Sequence, residues 1–135
     1  MLRPVVSIVL LAGLLLPAAA AHAQKSTERY IPIGKSPGLS GKYTVIGRVS
    51  EVDYKSGTVT ITGATRTWTA KLGDATKIWM DCSAAKHPNY TGTAADCKPG
   101  LLCEVKFEGR LQPTSTTCEW IKIRPASSEP KPKSK

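Results

Sequence analysis

The sequence predicts an all-β domain, a small barrel or sandwich. Two observations carry this. Between residues 43 and 124, apolar side chains recur with a period of two in short runs rich in Val, Ile, Thr and Trp, each bounded by turn-forming Gly, Pro, Asn or Asp. Helical periodicity is absent there, and five or six short strands with no helix between them suit those two architectures.

The elements follow in order. Tyr43–Asp53 reads as a long first strand, in which Gly47 permits a bulge or a close approach of neighbouring backbone. Tyr54-Lys55-Ser56-Gly57 turns the chain. Thr58–Thr62 alternates, with Val59 and Ile61 on one face and threonines on the other. Gly63-Ala64 turns again, and Thr65–Leu72 places Trp68, Ala70 and Leu72 together. Gly73-Asp74 breaks the run and Thr76–Met80 resumes it. A polar segment, DCSAAKHPNYTGTAADC, runs from Asp81 to Cys97. After the Lys98-Pro99-Gly100 turn, Leu102–Glu108 alternates Cys103, Val105 and Phe107 against Glu104, Lys106 and Glu108. Gly109–Thr117 connects to a last strand, Cys118–Arg124.

The flanks read differently. MLRPVVSIVLLAGLLLPAAAAHAQ has one basic residue, a largely apolar run from Val5 to Leu16, a breaking Pro17 and an Ala21-His22-Ala23 cleavage pattern. This is the form of a secretory signal peptide over residues 1–23. The apolar run is short against the roughly 30 Å of a bilayer core, and no later segment is expected to span a membrane. The expected mature chain starts at Gln24 and is periplasmic or secreted. Residues 24–42 read as an extended N-terminal arm whose Tyr30, Ile31, Ile33 and Leu39 suggest partial docking. Residues 125–135, PASSEPKPKSK, lack apolar side chains that would offset ordering and read as a disordered basic tail.

The formal net charge is +9. Residues 24–42 contribute +3 and the tail +2, whereas the 82-residue domain from 43 to 124 contributes only +3. Most of the excess therefore sits on the arms, where it attracts acidic surfaces without specificity.

The run VIGRVSEVDYKSGTVTITG, then TKIW, CKPGLLCEVKFEGRL and EWIKIRP, resembles small exported bacterial OB-like β-barrels of a family of unknown function. Gly47, Val49, Thr76, Lys98 and Gly100 occupy the positions that carry the likeness, which covers about residues 43–124. The resemblance implies a five- or six-stranded OB-like barrel and suggests binding. It carries no catalytic residues. The cysteines and the long segment after Met80 depart from the family pattern.

Four cysteines in an exported chain read as two disulfides. The local pairing, Cys82–Cys97 with Cys103–Cys118, is the expectation, and Cys82–Cys97 would staple the loop that stands in place of the usual helix. In the chain-entropy picture a closed loop of about 15 residues is worth roughly 3 kcal/mol. One difficulty attends the second bridge. Strict alternation puts Cys118 on the face of Trp120, not of Ile121 and Ile123, so either a bulge intervenes or Trp120 is core.

Few chemistries remain. Fourteen residues separate Cys82 from Cys97 and no C-x-x-C occurs, so no metal site is expected, and no cofactor motif is present. His87 is the only histidine after residue 23 and would have to serve any hydrolase built on the 82–97 loop. Glu104 and Glu108 alternate like ordinary surface acids, and Asn89-Tyr90-Thr91 is formally a glycosylation sequon. The remaining candidate site is ligand-binding. Alternation puts Lys77, Trp79, Trp120, Lys122 and Arg124 on the face opposite Ile78, Met80, Ile121 and Ile123. Either the two indoles form an exposed aromatic and basic platform, or both rings pack beneath the N-terminal arm or the loop. The expected function is that of a non-enzymatic exported binding or interaction module of the bacterial envelope. Its partner would be an envelope protein or an acidic ligand. The alternatives are an anionic-polymer binder, for single-stranded nucleic acid or acidic polysaccharide, and a hydrolase.

Overall fold

The computed structural model describes residues 27–109 and 116–126. The expected signal peptide and nearly all of the expected disordered tail lie outside the described residues. Seven strands form one sheet: β1 Val45–Asp53, β2 Thr58–Gly63, β3 Thr67–Lys71, β4 Lys77–Met80, β5 Tyr90–Thr91, β6 Leu102–Phe107 and β7 Thr116–Ile123. Six are the predicted runs. The seventh, β5, lies inside the segment expected to be a loop. The only helical elements among the described residues are three-residue 3-10 turns, at Glu28–Tyr30, Ser83–Ala85 and Ala94–Asp96.

The strand order is β3-β2-β1-β6-β7-β4-β5, and β3 also meets β7 in parallel over Ala70↔Thr116 and Lys71↔Thr117. The sheet therefore curls back on itself, but through a thin seam of two residue pairs, with β4 and β5 continuing past it. It is not a clean barrel. Alternation does what the sequence requires of it. Val45, Val49, Val59, Ile61, Ala70, Val105, Phe107, Ile121 and Ile123 fill one side as a single apolar core. Trp68 packs on that core half-buried, its ring 5.7 Å from that of Phe107.

Two bulges adjust the pattern. In β1, Val49 faces Ile61 and Glu51 faces Thr60, so Ser50 is the extra residue. In β7, Lys106 faces Trp120 and Phe107 faces Cys118, so Glu119 is extra. This second bulge resolves the parity difficulty: Cys118, Ile121 and Ile123 all reach the core, and Trp120 does not.

Gly47 is a close approach, with the bulge three residues later. A Cβ there would lie 2.3 Å from the Thr62 carbonyl oxygen of β2. Because that neighbour is backbone, it cannot give way without opening the ladder. Gly47→Ala should cost about 3 kcal/mol in urea unfolding; a loss under ~0.5 kcal/mol would mean that the strands part freely.

The cysteine expectation is corrected. All four cysteines are free and buried. Cys103 lies opposite Ile123, while Cys118 lies opposite Phe107. Four residues of strand separate the two positions, about 13 Å, against the roughly 7 Å a disulfide tolerates between Cα atoms. Nor are Cys82 and Cys97 bridged. The 82–97 segment is fastened by hydrogen bonds instead. Asn89 Oδ1 accepts from the Cys82 N–H at 2.8 Å, the Gly92 N–H donates to Ile78, and Thr93 with Asp96 forms a capping box. Burial pushes the thiols of Cys97 and Cys103 up to about 12 and that of Cys118 to about 11. At pH 8 these thiols hold almost no thiolate. They should resist iodoacetamide in the folded protein, and all four cysteines should alkylate in denaturant without reductant. Fewer than four modifications on the intact mass would show that bridges form.

Candidate functional site

The face of the sheet away from the core carries the residues that alternation selected. Lys77 of β4 registers with Trp120 of β7, Trp79 with Lys122, and Lys122 in turn with Glu104 of β6. One row across the sheet therefore reads Ile46, Glu104, Lys122, Trp79. The structure brings the five predicted residues onto one face. It does not expose the middle of that face. Trp79 is 6% and Trp120 2% accessible, their ring centroids 5.9 Å apart, and Lys122 is 1% accessible, its ammonium 4.5 Å from the Trp120 ring centre. The exposed indole platform is thus corrected in favour of the packed alternative. Lys77 is exposed and Arg124 partly so.

The cover is the segment 27–44, and it is not extended. It is a chain of turns, closed by bonds such as Ile31 N–H to Glu28, Lys35 N–H to Pro32 and Tyr43 N–H to Leu39. Gly34, Gly38 and Gly41 take φ of 82°, 70° and 75°, the left-handed region that other residues avoid. Its docking is polar where apolar contact was expected. Tyr30 is 59% exposed, and of the segment's large apolar side chains Ile33 is the one that is buried. What reaches the sheet is polar: the side chains of Glu28, Ser36, Ser40 and Thr44 and the backbone N–H groups of Ile33 and Gly34.

These form a clasp. Lys122 Nζ donates to Glu28 Oε2 and to Ser36 Oγ, both at 2.9 Å, and Ser36 Oγ donates to Glu28 at 2.8 Å. Glu104 accepts from the Gly34 N–H at 2.9 Å, Ser40 Oγ at 2.6 Å and Thr44 Oγ1 at 2.7 Å. Asp81, just past β4, accepts from the Ile33 N–H at 2.9 Å and from Ser83 through its N–H and hydroxyl. Sequence reasoning took Glu104 for a surface acid and gave Glu28, Ser36 and Asp81 no part in docking the arm. The signal that could have found them is Lys122 itself, flanked by Ile121 and Ile123 and two residues from Trp120: a strand apolar on both sides is covered on both sides.

Burial alone would raise the Asp81 pKa. The hydrogen bonds from Ser83 and from the Ile33 N–H, with Arg124 nearby, outweigh it and hold the carboxyl below 3.8. A depressed folded pKa contributes stability that is full above the unfolded value and is lost as pH falls through the folded one. The arm should therefore loosen selectively below about pH 4. Hydrogen exchange at the Ile33 amide should accelerate there before the core amides do; simultaneous release would contradict a local latch.

Beside the clasp lies a groove of about 320 Å³, lined by Arg48, Gly100, Leu101, Leu102, Arg124 and Pro125 with Ala126. Elsewhere the candidate chemistry is sparse. His87 is exposed on its loop. Among the described residues, no three His, Cys, Asp or Glu side chains gather to hold a metal ion, and no helix is long and apolar enough to cross a membrane. No protein-family model, curated protein or solved structure matches the chain.

Proposed function

We propose that this chain is an exported, non-enzymatic binding module of the bacterial envelope, built on an OB-like barrel. The ring of neighbours β1-β2-β3-β7-β6, which returns to β1, supports the OB-like reading. The observation that carries the functional reading is the employment of the buried ionisable side chains. Glu28, Asp81, Glu104 and Lys122 are all engaged in holding the arm to the sheet. Their hydrogen bonds satisfy arm donors and one another, which is structural work. The chemistry left over is on the surface: two arginines lining a groove, suited to recognition of an acidic partner. The polyanion reading has a specific support in the exposed Lys77 and the partly exposed Arg124 on one face.

The test is retention. The immobilised protein should retain a defined component of envelope extract that the heat-unfolded protein does not. Retention that persists as salt rises from about 50 to 200 mM favours a protein or small acidic partner, whereas a steep loss favours a polyanion. No retention above the unfolded control rejects the reading. The hydrolase reading requires hydrolytic activity that His87→Ala abolishes.

A further inference from the structure

The groove has a feature the arm clasp does not use. Arg48 leaves β1 opposite Leu102 of β6, and Arg124, just past β7, donates its backbone N–H to the Leu102 carbonyl. Leu102 therefore sits between two arginines, whose Cα atoms are roughly 10 Å apart by strand spacing. Both arginines line the same cavity, together with Gly100, Leu101, Leu102, Pro125 and Ala126.

Neither arginine is fully engaged by the protein. Arg48 donates from one amino group to the Gly100 carbonyl at 3.0 Å. Among the described residues, the ionic partner of Arg124 is Asp81, at 3.9 Å, too long for a hydrogen bond. Its Nε is buried and has no partner among the described residues. A buried guanidinium donor without an acceptor calls for one supplied from outside. The local charges fix its kind. Arg48 and Arg124 are the charged residues among those that line the cavity, and Asp81, 3.9 Å from Arg124 but outside the lining, offsets Arg124 in part. Glu104, in the next row, gives both carboxylate oxygens to donors from the arm and none to the arginines of the cavity. The lining thus holds positive charge and no negative group, which suits an anion, and the offset at Arg124 favours a single carboxylate over a more highly charged group. Two forked donors match a carboxylate, and the leucine and proline lining matches an apolar body behind it. The volume is at the small end of ligand sites.

We propose that the groove between Arg48 and Arg124 binds a monocarboxylate with a compact apolar body. That ligand is either a free acid or the C-terminal residue of a peptide. The assignment rests on the binding-module reading and names the ligand class of such a module.

The test is a titration of the purified protein followed by NMR. The probes are 4-phenylbutyrate and an acetylated tripeptide ending in leucine, each also as its uncharged amide. Both acids should bind with Kd on the order of 1 mM or tighter. They should move the Leu101 and Leu102 amides and the Arg124 Nε–H signal, and bind at least about tenfold more tightly than the amides. A tighter peptide identifies a chain end as the source; a tighter phenylbutyrate identifies a free acid. Arg48→Gln, remote from the clasp, should weaken both acids about tenfold or more, and Arg124→Gln likewise. Amides that bind as well as acids, or affinity unchanged in Arg48→Gln, overturns the assignment. If the acids fail while an envelope component is still retained, the groove assignment falls and the binding-module reading stands. If the acids bind and nothing is retained from the extract, the groove assignment stands and the envelope reading falls.

Discussion

Lys122→Ala should cost about 3–5 kcal/mol and release the arm. Lys122 is a fully buried ammonium, held by Glu28, by Ser36 and by the face of Trp120. Removing it strands the Glu28 carboxylate, whose second oxygen already has no partner, in a site closed to water. The large effect is the cost of the orphan left behind, which differs from the net worth of the pair. A pair of variants separates the two. Adding Glu28→Gln to Lys122→Met removes both charges, and the double variant should regain most of the loss. Urea unfolding gives the stabilities, and hydrogen exchange at residues 31–36 reports the arm. If Lys122→Ala unfolds within about 1 kcal/mol of the parent, the clasp is peripheral and the arm is held by something else. A double variant no better than Lys122→Ala would mean that the pair itself, with its geometry, is what the fold needs.

This clasp shows where reading from sequence reaches and where it stops. The six longer strands were legible because one face of each meets a single apolar core, and a half-buried strand writes its orientation as alternation. Tyr90–Thr91 was not, since two residues cannot display a period; β5 exists because β4 offers Trp79 and Met80 as partners. Outer-face charges were read as solvated, because alternation says which side a residue is on and nothing about what lies over that side. Glu104 and Glu108 look alike in sequence. Glu104 accepts three hydrogen bonds from the arm and is fully buried, whereas Glu108 lies past the end of β6 and is exposed. The arm was expected to dock through Tyr30, Ile31, Ile33 and Leu39, and its glycines were read as irregularity. Three of them set left-handed turns that aim backbone donors and small hydroxyls at carboxylates.

The cysteines failed for a related reason. Proximity along the chain stood in for proximity in space. The β6–β7 register depends on how the connection after Glu108 is made, and Cys118 falls five residues short of the partner of Cys103. The parity conflict was already visible in the alternation. Its resolution, an extra residue at Glu119, was not, because a bulge has no residue signature of its own there. The candidate site divides in the same way. All five selected residues do share a face, yet only its margins are open, and the groove at one margin pairs Arg124 with Arg48, which alternation alone had no reason to choose.

Trp120→Ala should be nearly as damaging as the loss of Lys122, about 3–5 kcal/mol, enough to bring a domain of this size close to unfolding. Trp120 is 2% accessible, lies 5.9 Å from Trp79 ring to ring, and forms the surface on which the Lys122 ammonium rests. Its removal opens a cavity and takes away a contact of a buried charge, two penalties at one position. Fluorescence distinguishes this from the exposed-platform arrangement without any ligand. In a Trp68→Phe background, emission from Trp79 and Trp120 should be blue-shifted and nearly unquenched by iodide or acrylamide. Quenching should appear together with arm release in Lys122→Ala, since the arm holds the ammonium that rests on the Trp120 ring. Red-shifted, readily quenched emission in the parent would show that the rings are open to solvent. So would a Trp120→Ala variant of undiminished stability, and either result would return this face to the list of ligand surfaces.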